Sequence, residues 1–370
     1  MKNVIKLSIY FSYLCIVILI IFLKGKNKNI LLSANLISIA LFSVRGVKNS
    51  YTAGDASILQ FNSLFSESLE QSFDYNYNIK DLLNRRIWNV STFITRDLIS
   101  FVILDLLRCL GLLDCKIIYY ATDIFYRRLD NKTNKIVSGT LKLALTVLEK
   151  TVWKRADYIF ANRKDELSIV KSQNQRTSLV PAKSRVPNLT NLKLPSLDSG
   201  LTFLFIGASG NVPNRKSINS FIRNYWPCIL KKFSRVELRI VGGGWEKYIR
   251  PTEKVNLTGF LSDKNLMEEY KNADFTIGYL DFGAGVKGKI LESMEQSTVV
   301  LGNKIGFAGI ECNALVPFKT SYELVSQIES FMDVDYYRGI IKEYEHFLLE
   351  NYAIGLIKTE IFKVISEIKL

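Results

Sequence analysis

The residues best suited to chemistry lie in one glycine-rich loop, residues 281–292. The loop reads Asp-Phe-Gly-Ala-Gly-Val-Lys-Gly-Lys-Ile-Leu-Glu. Three of its positions are glycines: Gly283, Gly285 and Gly288. Because glycine has no Cβ, the backbone at these positions can approach a ligand closely and adopt a positive φ. The loop is therefore expected to bind a ligand against its backbone.

The charges of the same loop indicate which ligand. A helix is expected to begin near Gly288, and a helix N-terminus offers N–H groups and a positive dipole end that suit a phosphate. Lys287 and Lys289 add two cations, and Glu292 could accept hydrogen bonds from ribose hydroxyls. These residues predict a site for a nucleoside diphosphate. A glycine-rich connection with solvated lysines is the alternative interpretation.

The elements that must position this loop alternate between buried strands and helices, which predicts parallel sheets with helices on both faces. Residues 51–80 are expected to form surface loop and helix. Strands are predicted at residues 30–35, 116–120, 157–162, 201–206, 236–241, 255–258, 274–280 and 298–301. Helices are predicted at residues 92–113, 137–156, 263–272, 290–296, 321–332 and 340–370.

The length of 370 residues predicts two domains, and a stretch with three of the seven prolines, residues 181–200, is the best candidate linker. We expect two Rossmann-like doubly wound domains that face each other across a cleft, because open α/β sheets bind ligands at the carboxyl ends of their strands. The expected parts are an N-terminal acceptor domain at 28–190, a C-terminal donor domain at 200–340, and helices at 341–370 that pack back on the N-terminal domain.

The N-terminal residues 1–27 differ from the rest of the chain. Leu7 to Leu23 carry no charge, and this run is just long enough to cross a bilayer if it starts a few residues earlier. The lysines after it favour a cytoplasmic position for the following domain. A membrane anchor is the favoured interpretation. A buried or interfacial helix and a cleaved signal peptide are the alternatives.

Composition excludes several classes of enzyme. The chain has one histidine, His346, so a Ser-His-Asp triad is not available outside its neighbourhood and a multi-histidine metal site is impossible. The five cysteines lack CxxC spacing, which is typical of reduced thiols. The formal net charge of +14 favours an anionic membrane surface as partner. No nucleic acid partner is expected, because the aromatic residues do not follow a base-stacking pattern.

The segment GAGVKGKILESM, preceded by VNLTGFLSDKNLMEEYKNADFTIGYLDF, resembles the C-terminal domain of retaining glycosyltransferases of family 4, which have the GT-B fold. FLFIGASGNVPNRKSINSFIRNYWP, LRIVGGG and VVLGNKIGFAGI occur in the order that this family shows. The resemblance covers residues 200–315 well and residues 116–190 more weakly. Before residue 115 only a strand can be matched.

The resemblance implies roles for individual residues. Glu292 is similar to the second glutamate of the family's E-x7-E motif, which holds the donor ribose. Lys287 or Lys289 would neutralise the diphosphate leaving group, and Gly259 would present backbone groups to the base. Gly207 to Asn214 would line the phosphate side, and Asp123 would face the transferred sugar.

The sequence departs from the family pattern at four positions. Ala284 replaces the first glutamate of E-x7-E, Ala208 the usual arginine, and Asn214 the usual lysine. Phe125 stands where the close subgroup often has a histidine. Without these residues, Lys287 and Lys289 would have to neutralise the negative charge of the diphosphate, together with Arg215 or Arg128.

The expected activity is transfer of a sugar, with retention, from a nucleotide-sugar to an acceptor hydroxyl. No cofactor and no metal ion are expected, because lysines and a helix dipole would supply the positive charge. The expected acceptor is a lipid-linked glycan or oligosaccharide of bacterial surface polysaccharide synthesis, at the cytoplasmic face of the plasma membrane. A non-catalytic relative that serves as a binding or scaffold protein, and a nucleotide-sugar epimerase of the same fold, are the alternatives.

Overall fold

The chain folds into two compact units, whose border lies at residues 183 and 184, inside the proline-bearing stretch. The chain returns to the first unit at Ile357. The computed structural model describes residues 39–42, 73–77, 90–121, 124, 135–181, 185–187, 192–283 and 287–369.

The first unit contains a parallel sheet of six strands in the order β2-β1-β3-β4-β5-β6. Its strands are β1 (Ile39–Phe42), β2 (Phe73–Tyr77), β3 (Thr92–Thr95), β4 (Lys116–Ala121), β5 (Tyr158–Ala161) and β6 (Thr177–Leu179). Its helices before the border are α1 (Leu98–Cys109), α2 (Lys135–Arg155) and α3 (Lys164–Lys171).

The start of this unit corrects two sequence-based predictions. Residues 92–95 form the buried strand β3, whereas a helix was predicted from residue 92. The helix begins only after Asp97, whose side chain caps α1 by accepting a hydrogen bond from the Ser100 amide at 2.8 Å. Residues 73–77 form strand β2 inside a stretch predicted to be loop and helix. The stretch offers alternating residues there, Phe-Asp-Tyr-Asn-Tyr, which is the two-residue period of a strand.

The second unit contains a parallel sheet of five strands in the order β11-β10-β7-β8-β9. Its strands are β7 (Leu201–Ile206), β8 (Val236–Val241), β9 (Val255–Gly259), β10 (Phe275–Gly278) and β11 (Val299–Gly302). Its helices are α4 (Val212–Asn224), α5 (Trp226–Lys232), α6 (Asp263–Asn272), α7 (Gly288–Glu295), α8 (Ser321–Ser330) and α9 (Val334–Tyr352). The last helix, α10 (Ile354–Lys369), continues from this unit into the first.

The core of the second unit lies between its sheet and the surrounding helices. Phe203 and Phe275 stack on neighbouring strands with ring centroids 5.3 Å apart. Tyr337 and Tyr344 of α9 are fully buried in the same core. The expected domain boundary at residue 340 therefore falls inside a helix that packs in the second unit.

The predicted fold class of two doubly wound α/β domains is confirmed for the residues that the structure describes. The predicted hydrophobic helix at 1–27 and the predicted strand at 30–35 lie outside these residues. None of the described helices is long and apolar enough to cross a membrane.

Candidate functional site

Five loops leave the same edge of the second sheet, because the carboxyl ends of all its parallel strands lie on that side. In open α/β sheets this edge is where ligands bind. Two of these loops carry most of the predicted site residues. One joins β7 to α4, and the other joins β10 to α7.

The loop after β7 is shaped around Gly207, which has a φ of +154°. A Cβ at this position would lie 2.3 Å from the side-chain nitrogen of Asn214, so the asparagine packs directly over the glycine. The Gly207 carbonyl accepts a hydrogen bond from the buried indole of Trp245 at 2.8 Å. These contacts fix the backbone at the end of β7, and any larger residue at position 207 would displace Asn214.

The loop after β10 brings the N-terminus of α7 close to the start of α4. A Cβ at Gly283 would lie 3.9 Å from both Pro213 Cβ and Lys287 Cε. Lys287 is the N-cap residue of α7, and Gly288 is its first helical residue. The first N–H groups of a helix have no acceptor within the helix, so this end of α7 suits an anion.

Lys289 connects the two loops. Its ammonium group donates a hydrogen bond to the carbonyl oxygen of Ile206, the last residue of β7, at 3.2 Å. It also lies 4.1 Å from the centroid of the Phe205 ring. Burial, together with the nearby charge of Lys287, lowers the pKa of Lys289 to about 7. Within the part of the chain that the structure describes, Lys289 has no carboxylate partner.

Glu292 lies one turn further along α7, and its carboxylate turns back toward the start of the helix. Its Oε1 would lie 3.7 Å from a Cβ at Gly288. Its Oε2 accepts a hydrogen bond from the hydroxyl of Tyr270 at 2.9 Å. Tyr270 is fully buried, and burial followed by the charge of Glu292 raises its pKa well above the usual range. The phenol therefore stays protonated and donates to the carboxylate.

The other predicted site residues lie on the neighbouring strand ends and loops or are not described. The Arg215 guanidinium donates to the Ser209 carbonyl at 3.1 Å and lies 4.6 Å from the Tyr248 ring centroid. Gly259, with a φ of +72°, ends β9, which is separated from β7 by β8. Gly285 and Asp123 lie outside the described residues, as do the departures at Ala284 and Phe125.

The exposed Ala208 and the Asn214 side chain contribute no cation to the loop after β7. Among the described residues, the cations at this edge are therefore Arg215, whose guanidinium reaches the Ser209 carbonyl, and Lys287 and Lys289 on the α7 side. Over the described ranges, no group of three His, Cys, Asp or Glu side chains could hold a metal ion.

Sequence reasoning missed three residues that support the site. The Tyr270 hydroxyl donates a hydrogen bond to Glu292, and the Trp245 indole donates one to the Gly207 carbonyl. The Asn303 side chain forms hydrogen bonds with both the N–H and the C=O of Leu280, just after β10. A buried tyrosine or tryptophan needs a partner for its polar atom, so these residue types in an apolar setting were a usable signal. Their partners depend on tertiary packing.

Residues 200–333 match the family model described as "Glycosyl transferases group 1". Anabaena HepE, solved in complex with UDP, superposes with a TM-score of 0.62 at 11% identity, covering 90% of this chain and 100% of HepE. Both units thus lie within the matched region. The chain has the GT-B fold.

Two further GT-B structures are similar. Sucrose-phosphate synthase from Thermosynechococcus elongatus gives a TM-score of 0.63 at 14% identity, with 90% of this chain and 98% of that chain covered. TarM of S. aureus gives 0.54 at 14% identity, with 74% and 55% covered. No curated protein sequence matches the chain. The resemblance to group 1 glycosyltransferases is confirmed by the family match, while the narrower assignment to family 4 stays a prediction.

Proposed function

We propose that this protein transfers a sugar, with retention of configuration, from a nucleoside diphosphate sugar to an acceptor hydroxyl. The observation that carries the proposal is the position of Lys289. Its ammonium group lies against the last carbonyl of β7, and its own backbone belongs to the first turn of α7. A diphosphate between these two elements would meet the ammonium group and the helix N-terminus together.

The donor site follows from the same geometry. Glu292 would accept hydrogen bonds from the ribose hydroxyls, and Tyr270 holds one of its two oxygens. Lys287 and Lys289 would balance the charge of the two phosphates. Gly259 and its neighbours would meet the base. UDP is the first nucleotide to test, because the similar HepE structures contain UDP and UDP-glucose.

The positive charge would act on the leaving group during the reaction. Negative charge builds on the diphosphate as its bond to the sugar breaks, and a preorganised ammonium and helix dipole stabilise that charge. The acceptor hydroxyl would attack from the face that the diphosphate leaves, which retains the configuration. The proposal requires no metal ion and no other cofactor.

The acceptor that we propose is a lipid-linked glycan or oligosaccharide of bacterial surface polysaccharide synthesis, at the cytoplasmic face of the plasma membrane. Helix α2 supports an anionic membrane as partner. It exposes Leu143 and Val147 one turn apart, with 66% and 59% of their surface accessible, and Lys150 and Lys154 are exposed further along the helix. Apolar and basic side chains on one helix are typical of binding at an anionic membrane surface.

A non-catalytic GT-B protein is the second candidate. It is favoured by Ala208 and Asn214, which stand where the family pattern has an arginine and a lysine. Such a protein would bind a nucleotide and release no sugar from it.

The test is a thermal-shift screen of the purified protein against UDP, GDP, ADP and CMP, repeated with Glu292→Ala. We expect one diphosphate to raise the Tm of the wild type and to lose that effect in the variant. Glu329→Ala serves as the control, because Glu329 is an exposed glutamate on α8 that pairs with Lys232. No shift with any nucleotide would contradict the donor site. A shift without turnover of the matching nucleotide-sugars, with glycan acceptors present, would favour the non-catalytic candidate.

A further inference from the structure

A basic groove lies along α4, within the second unit. Its volume is about 490 Å³. Two of its lining residues are close in sequence to the loops of the candidate donor site. Arg215 follows Asn214 directly, and Asp281 is two residues before Gly283. Its lining includes Arg215, Lys216, Asn219, Arg223, Tyr248 and Asp281.

The groove has an excess of positive charge that the fold itself does not neutralise. Three cations line it, against the single carboxylate of Asp281. That carboxylate already accepts a hydrogen bond from the Tyr279 hydroxyl at 2.7 Å. Among the described residues, Arg215, Lys216 and Arg223 form no ion pair. Cations that have no carboxylate partner among the described residues can bind an anionic ligand.

One of these cations is held in place. The Arg215 guanidinium lies 4.6 Å from the centroid of the Tyr248 ring and within hydrogen-bond distance of the Tyr248 hydroxyl, at 3.3 Å. It also donates to the Ser209 carbonyl at 3.1 Å. Because these contacts already restrict the side chain, an anion that binds here loses less of its affinity to ordering.

We propose that this groove binds a phosphate group of the acceptor substrate. The inference rests on the proposed function, since the donor phosphates would occupy the neighbouring loops after β7 and β10. Arg215 and Arg223 are about two turns apart on α4, with Asn219 one turn from each, and guanidinium groups suit phosphate oxygens. The phosphate could belong to a soluble glycan or to a lipid carrier, and both present the same chemistry to the groove.

The test uses protein labelled with ¹⁵N at arginine and saturated with UDP. The side-chain Nε–H signals of Arg215 and Arg223 are followed during titration with glucose 1-phosphate, and with glucose as the neutral match. Vesicles of phosphatidylcholine with and without phosphatidylglycerol form the membrane arm, read by co-sedimentation. We expect glucose 1-phosphate, but not glucose, to shift both signals. Vesicle binding that depends on the same residues would identify the lipid as the source.

Two variants and a control locate the effect. Lys216→Glu and Arg223→Glu are each expected to weaken glucose 1-phosphate binding about tenfold, since each reverses one charge of the groove. Lys231→Glu, an exposed lysine on α5, should leave it within about twofold. UDP affinity should be the same in all three variants.

Three results would overturn the proposal: no shift of either arginine signal, equal binding in wild type and Arg223→Glu, or competition between UDP and glucose 1-phosphate for the same place. If UDP fails to bind the wild type, the proposed function fails. The glucose 1-phosphate titration still reports on the groove in that case, so the two failures can be told apart.

Discussion

Each unit has a strand that leads through a loop into a helix with a cation near the helix start, but the two cations have different partners. In the first unit, Arg163 follows β5 and pairs with Glu166 of α3 at 3.1 Å, and both side chains are buried. Glu166 also accepts a hydrogen bond from the Ile124 amide at 3.3 Å. In the second unit, Lys289 of α7 lies against a backbone carbonyl and an aromatic ring instead.

On the proposed function, the difference separates a charge that stabilises the fold from one that binds the donor. A buried arginine that is paired inside the fold has its charge neutralised, and breaking the pair leaves an uncompensated buried charge. A lysine without a carboxylate partner costs stability in the free protein, because burial disfavours its charged form. A bound diphosphate would remove that cost. Changes at the two junctions should therefore affect different quantities.

The largest effect is expected from Lys289→Met, which removes the ammonium group while keeping a similar volume. Sugar transfer should fall by about 10²–10³-fold, because the charge on the departing diphosphate loses its main stabilising group. The measurement is kcat for nucleotide release with donor and acceptor saturating. Lys271→Met, which changes a lysine of α6 that pairs with Glu268 on the surface, is the control and should keep wild-type turnover. Wild-type turnover in Lys289→Met would refute the assigned role.

The opposite outcome is expected in the first unit for Arg163→Met. Glu166 would then lose its buried ion pair with Arg163, and the free energy of unfolding should fall by about 3–5 kcal/mol. Denaturant unfolding measures this loss. The double variant Arg163→Met, Glu166→Gln should recover much of it, because the glutamine carries no charge and can still accept from the Ile124 amide. Equal losses in the single and double variants would show that the charge is not the cause.

A pH series sharpens the comparison further. The pKa of Lys289 is lowered to about 7, so the free lysine is charged below this pH and loses its proton above it. UDP should bind the charged form, and its affinity should fall by up to about tenfold per pH unit above 7, as binding then takes up a proton. Phosphate groups are fully ionised there, which leaves the lysine as the titrating group. Calorimetry at pH 7, 8 and 9 in two buffers measures the affinity and the proton uptake. A flat profile would contradict the mechanism.

The smallest effect is expected from Tyr270→Phe. The variant keeps the ring in the core but removes the hydroxyl that holds Glu292. We expect the KM for the donor to rise about three- to tenfold with little change in kcat, since the carboxylate remains but is less well oriented. Tyr337→Phe, another buried tyrosine of the same unit, is the matched control for loss of a phenol in the core. A similar rise in KM in both variants would mean a general loss of packing.

Much of the second unit could be predicted from the sequence. Its strands are rich in apolar residues and each ends at or just before a glycine, and the loop at 281–292 combines glycines, lysines and a helix start within twelve residues. Local patterns of this kind need no tertiary information. The first unit was harder to predict. A central strand such as β3 is buried on both faces, so it lacks the alternation that separates a strand from a buried helix.

The supporting contacts of the site could not be predicted in the same way. Tyr270 and Glu292 are 22 residues apart, and they meet only because α6 and α7 pack on the same sheet. The contact between Lys289 and Ile206 spans 83 residues. The sequence indicates that such residues need partners, but the pairing itself depends on the order of the strands.

The most direct test of the central claim compares UDP with uridine as ligands of the wild type and of Lys289→Met. The claim is that Lys289 binds the diphosphate, so its loss should weaken UDP binding at pH 7 by about tenfold or more and leave uridine binding unchanged. Calorimetry gives both affinities on one sample. If the variant binds UDP as tightly as the wild type does, or loses UDP and uridine equally, Lys289 does not bind the diphosphate.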